Sequence, residues 1–410
     1  MAKVMLEVDR ITVRRGMDVV FTDCTLGLQS GQSAALVGPN GSGKSTLLEA
    51  CAGLLTIEQG EIRHGAAPVV RPDGARRASP LLHGLTLQRN GAMGSETVEE
   101  HLRTAMSSVG RHTDLQPWLE RFNLDHRRHD LIAHLSEGQA RKVAVLAGLL
   151  PAFVAPSPGL VLLDEPTTGL DAKARAQTLA WMGDLCQRGH ALLVSSHLDE
   201  VVDACSHTFD LASLQLKEAA PRAVEPATTP TSMSVTTEPL AKESGTQFGR
   251  RQHFRTQAWL STNGVAALLT LGVLLVLGDI GARISGSQTL ALVLAPAAAA
   301  GLVGEAMASL GREERCEDWR LALGLGTAHG TPMIAALGAG FTALAGIALT
   351  GSVDIVWVTA GAGLSAVVAW AMGVLQRSVR RLARPQAVFV GLFTPVLLLP
   401  YALLVDWLAR

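Results

Sequence analysis

The chain has 410 residues, of which 48% are hydrophobic and 17% charged, and its formal net charge is -1 at pH 7. Ordinary globular domains contain about 25% charged residues, so this composition excludes a disordered chain and argues against a wholly soluble one. The near balance of 35 basic and 36 acidic residues gives no electrostatic case for a nucleic-acid partner.

A glycine-rich loop is the first motif along the chain. Residues 34–48 read AALVGPNGSGKSTLL, which is a short apolar run, the loop and a helix-like stretch. This arrangement predicts a phosphate-binding loop, because backbone N–H groups and a helix N-terminus surround the phosphate oxygens. We expect Lys44 to reach the β- and γ-phosphates of a nucleotide and Ser45 to bind Mg²⁺. The residues expected around the phosphates are Gly38, Pro39, Asn40, Gly41, Ser42, Gly43, Lys44, Ser45 and Thr46.

Two carboxylates follow a second apolar run. Residues 160–165 read LVLLDE, which predicts a buried parallel strand with both acids at its carboxyl end, where open α/β sheets bind ligands. Asp164 suits Mg²⁺ coordination, directly or through water. Glu165 is placed to polarise an attacking water and is the expected general base.

Further motifs stand at fixed intervals around these two. They are Gln88, nine residues before Thr97, then HLSEGQ at 134–139, TTGLD at 167–171 and SSH at 195–197. In this order and spacing they resemble the ATPase domains of ABC transporters over about residues 4–210. The resemblance implies an α/β P-loop NTPase domain with a helical subdomain, which hydrolyses ATP with Mg²⁺ and pairs head to tail with a second copy.

The resemblance also implies roles for residues that would act across such a pair. Ser136, Gly138 and Gln139 would cap the γ-phosphate held by Lys44 of the other subunit, since a helix N-terminus with a hydroxyl is a sound anion site. Asp171 would contact the opposite phosphate loop.

Within one subunit, the resemblance implies that His197 holds the γ-phosphate and orients the attacking water against Glu165. Gln88 would sense Mg²⁺ and water. The family stacks an aromatic ring on adenine near the position of Arg15, but this chain has none there. Arg15 is either a cation–π platform for the base or a solvated charge, and both interpretations stay open.

The composition changes twice after the ATPase-like region. Residues 217–250 are rich in Pro, Thr, Ser, Ala and Glu and predict a flexible linker between a domain at 1–216 and one at 251–410. Long uncharged runs dominate the last part and predict an all-α transmembrane domain of about five helices, with buried helices of a soluble domain as the alternative. The predicted spans are 257–278, 286–306, 329–350, 355–376 and 386–406.

Arginine placement predicts how this domain is oriented. Arginines cluster before the first span, between the second and third, and between the fourth and fifth. The positive-inside rule then predicts a multi-pass protein of the cell membrane with a cytoplasmic ATPase domain and an extracytoplasmic C-terminus. The stretch GREERCEDWRLALG at 311–324 is either a coupling helix against the ATPase or an ordinary loop.

These features together predict an ATP-hydrolysing ABC transporter subunit. Its expected partners are a second half-transporter (the same chain or a homologue), the lipid bilayer and an unidentified substrate, and we expect export. A membrane-anchored ATPase that assembles or remodels a partner complex is the alternative. An energiser of import through an external solute-binding protein is a third.

Overall fold

The computed structural model describes residues 3–218, 237–245, 247–248, 251–252, 294, 297, 300, 315–326 and 331–379. The chain divides into two compact units. The first comprises Met1–Gly245 and Gly311–Thr327, and the second comprises Thr246–Leu310 and Ala328–Arg410. The first unit therefore includes a short segment that the sequence assigns to the transmembrane domain.

Two main sheets build the first unit. One is a four-stranded antiparallel sheet in the order β2-β1-β4-β5, and the other has six strands in the order β11-β10-β3-β9-β8-β6. The strands are β1 (Val4–Arg15), β2 (Asp18–Gln29), β3 (Ser33–Val37), β4 (Gln59–His64), β5 (Ala67–Val70), β6 (Leu82–Thr86), β7 (Arg111–His112), β8 (Leu160–Asp164), β9 (Ala191–Ser195), β10 (His207–Asp210), β11 (Gln215–Glu218) and β12 (Glu238–Pro239).

The central strands of the larger sheet place the site. Strands β8 and β9 are buried along their whole length, β3 along all but its last residue, and neighbours among β6, β8, β9 and β3 pair in parallel. Strands buried on both faces need continuous apolar runs, and SAALV, LVLLD and ALLVS supply them. Because the strands are parallel, the chain leaves β3, β8 and β9 at the same edge of the sheet.

Helices cover this sheet and form a separate helical part between β6 and β8. The α-helices whose bounds lie within the described residues are α1 (Lys44–Cys51), α2 (Val98–Ser107), α3 (Gln116–Arg121), α4 (Glu137–Val154), α5 (Ala172–Gln187), α6 (Asp199–Asp203), α7 (Cys316–Ala322), α8 (Thr331–Thr350) and α9 (Ile355–Val379). The predicted α/β P-loop domain with a helical subdomain is thus confirmed in the first unit.

The predicted linker differs from a flexible connection at both of its ends. Strand β11 runs to Glu218, and residues 237–245 pack on the first unit. There β12 pairs with β7, and the N–H of Leu240 donates to the carbonyl of Gly110 at 2.9 Å. The carboxylate of Glu243 accepts hydrogen bonds from Thr104 and Arg320, which gives this segment a specific anchor that composition does not reveal.

In the second unit, α8 and α9 pack closely through small residues. A Cβ on Gly338 would lie 2.3 Å from the hydroxyl of Ser365, and one on Gly361 would lie 2.0 Å from that of Thr342. These glycines therefore let the two backbones approach. The helices fall on the predicted third and fourth spans, 329–350 and 355–376.

None of the helices in the described residues is sufficiently long and apolar to cross a membrane. The predicted spans 257–278, 286–306 and 386–406 lie outside the described residues, apart from positions 294, 297 and 300.

Candidate functional site

The glycine-rich loop joins β3 to α1, as the sequence predicts. Gly43 precedes α1 with φ 101°, in the left-handed region, and a Cβ there would lie 2.5 Å from the side chain of Val20. Only glycine meets both conditions. The ammonium of Lys44 is buried and donates to the carbonyls of Gly38 and Pro39 at 2.8 and 3.1 Å, so its charge lies inside the loop.

The rest of the loop follows the predicted arrangement. Pro39, Asn40 and Gly41 are exposed at its tip, while Thr46 is buried in the first turn of α1. The Ser42 hydroxyl is buried and has no hydrogen-bond partner within the described part of the chain. An enclosed donor with no protein acceptor suits a loop that binds phosphate oxygens.

Asp164 and Ser45 meet at the carboxyl end of β8. The Ser45 hydroxyl donates to Oδ1 of Asp164 at 3.0 Å, and the Ser195 hydroxyl donates to the same oxygen. The second carboxylate oxygen, Oδ2, is buried with no hydrogen-bond partner among the residues described. Burial raises the pKa of Asp164. A serine hydroxyl beside an unpartnered carboxylate oxygen fits the oxygen ligands that Mg²⁺ prefers.

Gln88 is not joined to this pair in the structure. It is exposed just after β6, and its backbone carbonyl accepts a 3.4 Å hydrogen bond from Arg141. No hydrogen bond of the described residues links its amide to Ser45 or Asp164. Of the three predicted Mg²⁺ ligands, the structure therefore brings Ser45 and Asp164 together but not Gln88.

Glu165 and His197 lie in contact at the same edge of the sheet. The Nδ1 of His197 is 3.0 Å from Oε2 of Glu165, and the Thr168 hydroxyl donates to that oxygen at 3.1 Å. The Glu165 N–H donates to the Ser195 carbonyl. The Glu165 side chain is 18% exposed and so remains open to a water molecule. A carboxylate held by an imidazole and a hydroxyl is suited to accept a proton from that water.

Ser136 and Gln139 form the start of α4. Ser136 is the N-cap, its hydroxyl accepts from the N–H of Gln139, and the Gln139 side chain accepts from the N–H of Ser136. This reciprocal capping box confirms the predicted helix start. Ser136 is exposed and Gly138 half-buried, so the N-terminus of α4 faces outward.

Asp171 caps α5 and contacts α4. It accepts from the N–H of Ala174 at the start of α5 and forms an ion pair with Lys142 of α4. The hydrogen bond from Lys142 lowers the pKa of Asp171. No hydrogen bond or ion pair found in the described residues joins Asp171 or Ser136 to the loop that carries Lys44 of the same chain.

Arg141 holds the backbone of the site, and no sequence motif indicated it. Its guanidinium is buried and donates to the carbonyls of Leu87, Asp164 and Glu165 at 2.7, 2.6 and 2.7 Å. One side chain of α4 therefore holds the backbone on both sides of the site, before Gln88 and at the two carboxylates. The available signal was an arginine two residues beyond Gln139, at the start of an apolar helix.

Arg15 is at the end of β1 and forms an ion pair with Glu49 of α1. Its side chain is 48% exposed, whereas that of Glu49 is 5% exposed. The arginine is thus neither free in solvent nor enclosed. No sequence motif indicated Glu49 either, although it is an acid within α1, whose sequence is KSTLLEAC.

Helix α7, from the stretch 311–324, packs against the loop that follows Gln88. Trp319 is 2% exposed, its indole N–H donates to the Leu85 carbonyl at 2.8 Å, and its ring lies 4.8 Å from that of His101. A Cβ on Gly91 would lie 3.0 Å from the indole. This packing distinguishes α7 from an ordinary exposed loop.

Known proteins resemble the first half of the chain. The family described as ABC transporter matches residues 21–168. The cytochrome c biogenesis ATP-binding export protein CcmA of Rhizobium meliloti is 35% identical over 209 residues, covering 49% of this chain and 90% of that protein. The aliphatic sulfonates import ATP-binding protein SsuB 3 of Paraburkholderia xenovorans is 37% identical over 191 residues, covering 46% and 69%.

Proposed function

The chain belongs to the ABC transporter family through its N-terminal ATPase domain, and on that premise we propose that it couples ATP hydrolysis to the movement of a substrate across the cell membrane. The domain is an ATPase and the chain is an ATP-binding transporter subunit. Residues 251–410 are proposed to form the membrane part, with the ATPase domain in the cytoplasm and the C-terminus outside.

One observation carries the proposal: helix α7 lies on the ATPase next to the Gln88 loop. The helix belongs to the stretch between the second and third proposed spans. Because it contacts the Gln88 loop, nucleotide-driven movement of that loop would act directly on it. The buried indole of Trp319 and the ion pair of Arg320 with Glu243 make this contact specific. A docked helix that comes from the proposed membrane part is expected of an ATPase that acts on a membrane part.

The second unit supplies further support. Its described helices leave large apolar side chains exposed, among them Leu344, Ile347, Val367 and Trp370. Such a surface is costly in water and suits contact with lipid or with a partner membrane subunit. Small residues, such as the glycines where α8 and α9 approach each other, are also common at contacts between helices in a bilayer.

We propose that hydrolysis takes place between two chains. Ser136 at the N-terminus of α4 would cap the γ-phosphate held by Lys44 of the other chain, and Asp171 would contact the opposite loop. The second chain is either an identical copy or a homologous half-transporter. Glu165 would take the proton of the attacking water, with His197 orienting both water and γ-phosphate.

Mg²⁺ would be held by Ser45 and Asp164 and, once its loop closes, by Gln88, and it would neutralise charge on the β- and γ-phosphate oxygens. The residues of the chain do the rest. The loop amides and Lys44 bind the phosphates, and Arg141 keeps the backbone of Glu165 in place.

Export is the proposed direction, because the DEPTTGLD and SSHLDEV stretches resemble those of exporters and a fused membrane domain is typical of them. Among the relatives, CcmA is named for export and SsuB 3 for import. Carbonate extraction of host membranes is the first test. Retention of the chain in the pellet is expected, and its release would contradict the membrane domain.

Reconstitution into liposomes then separates the functions. ATPase activity stimulated by a small molecule or a lipid supports transport. Activity stimulated only by an added protein partner favours the alternative, an ATPase that assembles or remodels a complex. Dependence on an external solute-binding protein would favour import. Lys44→Ala is the inactive control in each case.

A further inference from the structure

Two arginines from distant parts of the chain share one buried carboxylate. Glu49 lies in α1, which begins at Lys44, and its side chain is 5% exposed. Arg15, 34 residues earlier, donates to Oε2, and Arg315, 266 residues later, donates to Oε1. Both oxygens of Glu49 are therefore occupied by charged donors, and all three residues belong to the first unit.

The second arginine arrives with the docked helix. Arg315 is the N-cap of α7, and its Nε also donates to Asp318 in the first turn at 3.0 Å. Its φ of 58° lies in the left-handed region, which a non-glycine residue adopts only when its surroundings hold it there. The ion pair with Glu49 is one of the contacts that hold this conformation. Because Arg315 is part of the segment that forms α7, its contact with Glu49 exists only while α7 is docked. Arg15 alone would then be left to neutralise Glu49.

The first arginine lies at the tip of the β1–β2 hairpin, beside the phosphate loop. The side chain of Val20 in this hairpin fills the space next to Gly43, which fixes the hairpin against the start of α1. Arg15 donates to Glu49 through Nη2 alone, and about half of its side chain remains exposed. A nucleotide with its phosphates in the loop places its base outside the loop, where a planar cation with an open face can stack on it.

We propose that Glu49 is a positioning residue that links the docking of α7 to the binding of the nucleotide base. It rests on the proposed function, in which the ATPase domain binds ATP and acts on α7. With α7 docked, Arg315 occupies one oxygen of Glu49 and Arg15 the other, so Arg15 is held by a single oxygen. When α7 leaves, both oxygens turn to Arg15 in a forked pair, which draws its guanidinium away from the base.

The link has a reciprocal consequence. If docking of α7 raises the affinity for nucleotide, nucleotide must raise the affinity of the domain for α7 by the same factor. Binding of the base then strengthens the docking of α7 through Glu49, in addition to the effect that the phosphates have through the Gln88 loop.

The test measures nucleotide affinity of the full chain in detergent by calorimetry, with Glu165→Gln as the background so that ATP is not consumed. Arg315→Gln and Glu49→Gln are each expected to raise the ATP Kd about fivefold, and the double variant no further than the larger single effect. Arg315→Lys, which keeps the charge, should recover part of the affinity. Arg14→Gln is the matched control, since Arg14 neighbours Arg15 but pairs with Glu58, and it should leave the Kd unchanged.

Tripolyphosphate with Mg²⁺ is the second probe, because it has no base. Its Kd should be the same in all these variants if Glu49 acts through Arg15. Equal weakening of ATP and tripolyphosphate, additive effects in the double variant, or an unchanged ATP Kd in Arg315→Gln would each overturn the inference. Failure of the background chain to bind ATP would instead contradict the proposed function.

Discussion

The indole N–H of Trp319 donates a 2.8 Å hydrogen bond to the backbone carbonyl of Leu85, 234 residues earlier in the chain. Leu85 is in β6, which leads directly into the Gln88 loop. A residue from the proposed membrane half is therefore built into the ATPase domain at the start of the Gln88 loop. The coupling we propose depends on this contact.

Loss of the Trp319 contact should release α7. Trp319→Ala removes the hydrogen bond and the packing on His101 and Gly91, so we expect it to weaken the docking by about 3–5 kcal/mol. Trp319→Phe keeps the packing and should cost about 1 kcal/mol. Limited proteolysis of the full chain measures this as cleavage within residues 315–326. Leu321→Ala, at a 42% exposed position of the same helix, is the control. Equal cleavage of Trp319→Ala and Leu321→Ala would argue against a docked α7.

Replacement of the general base should separate ATP binding from hydrolysis. Glu165→Gln keeps the shape of the side chain but cannot take a proton, so its ATPase rate should fall by about 10²–10⁴-fold while ATP still binds. Phosphate release and ATP binding by the purified chain measure the two steps. Lys44→Ala should lose binding as well. Vigorous turnover by Glu165→Gln would refute the assignment of the base.

Arg141 should matter for both stability and rate. Arg141→Met removes the guanidinium that donates to the carbonyls of Leu87, Asp164 and Glu165. The Glu165 carbonyl keeps the N–H of Thr168 at 3.3 Å, whereas each buried acceptor left unpaired costs about 1–3 kcal/mol. We expect a lower unfolding temperature and a lower ATPase rate. Arg141→Lys should recover part of both, since it keeps the charge but loses the fork. Arg103→Met, at an exposed position of α2, should resemble the unmodified chain. Wild-type rates in Arg141→Met would exclude a positioning role.

Acid should destabilise the domain through His190. Its Nδ1 accepts a hydrogen bond from the N–H of Gly159 at 3.1 Å, and burial lowers its pKa to about 4. An unfolded histidine titrates near 6.5, so below that pH the unfolded chain binds a proton that the folded chain excludes. The free energy of unfolding should therefore fall between pH 6.5 and 4.

The denaturant midpoint at pH 7.5 and pH 5 measures this fall. His190→Asn keeps an acceptor for Gly159 but does not titrate, so its midpoint should fall less than that of the unmodified chain. His83, whose pKa burial also lowers, accounts for part of the remainder. The same fall in His190→Asn as in the unmodified chain would contradict the role of this imidazole.

Local patterns predicted the parts of the site that lie within one stretch of chain. The loop from Gly38 to Ser45, the strand that ends at Asp164 and the helix that starts after Ser136 are each specified by neighbouring residues. The family resemblance placed His197 and Glu165 around the same water molecule, but it did not predict their direct contact. The helical segments at α8 and α9 follow from uncharged runs.

The remaining features depend on packing between distant segments. Nothing near Glu49 in the sequence indicates that Arg315 would share it, and nothing near Glu243 indicates that it anchors the end of the predicted linker. Arg141 serves carbonyls from two other segments. Such contacts join residues far apart in the chain, and periodicity and motif spacing carry no information about them.

Hydrolysis is proposed to need two ATPase domains, with Ser136 of one chain facing Lys44 of the other. The most direct test is the native mass of the Glu165→Gln chain purified from its host in the presence of ATP and Mg²⁺. We predict a particle with two ATPase domains and two ATP molecules, formed by two copies of this chain or by one copy and a homologous chain. The particle should dissociate when ADP replaces ATP, and it should not form when the chain also carries Lys44→Ala. A single chain with one bound ATP would contradict the composite site.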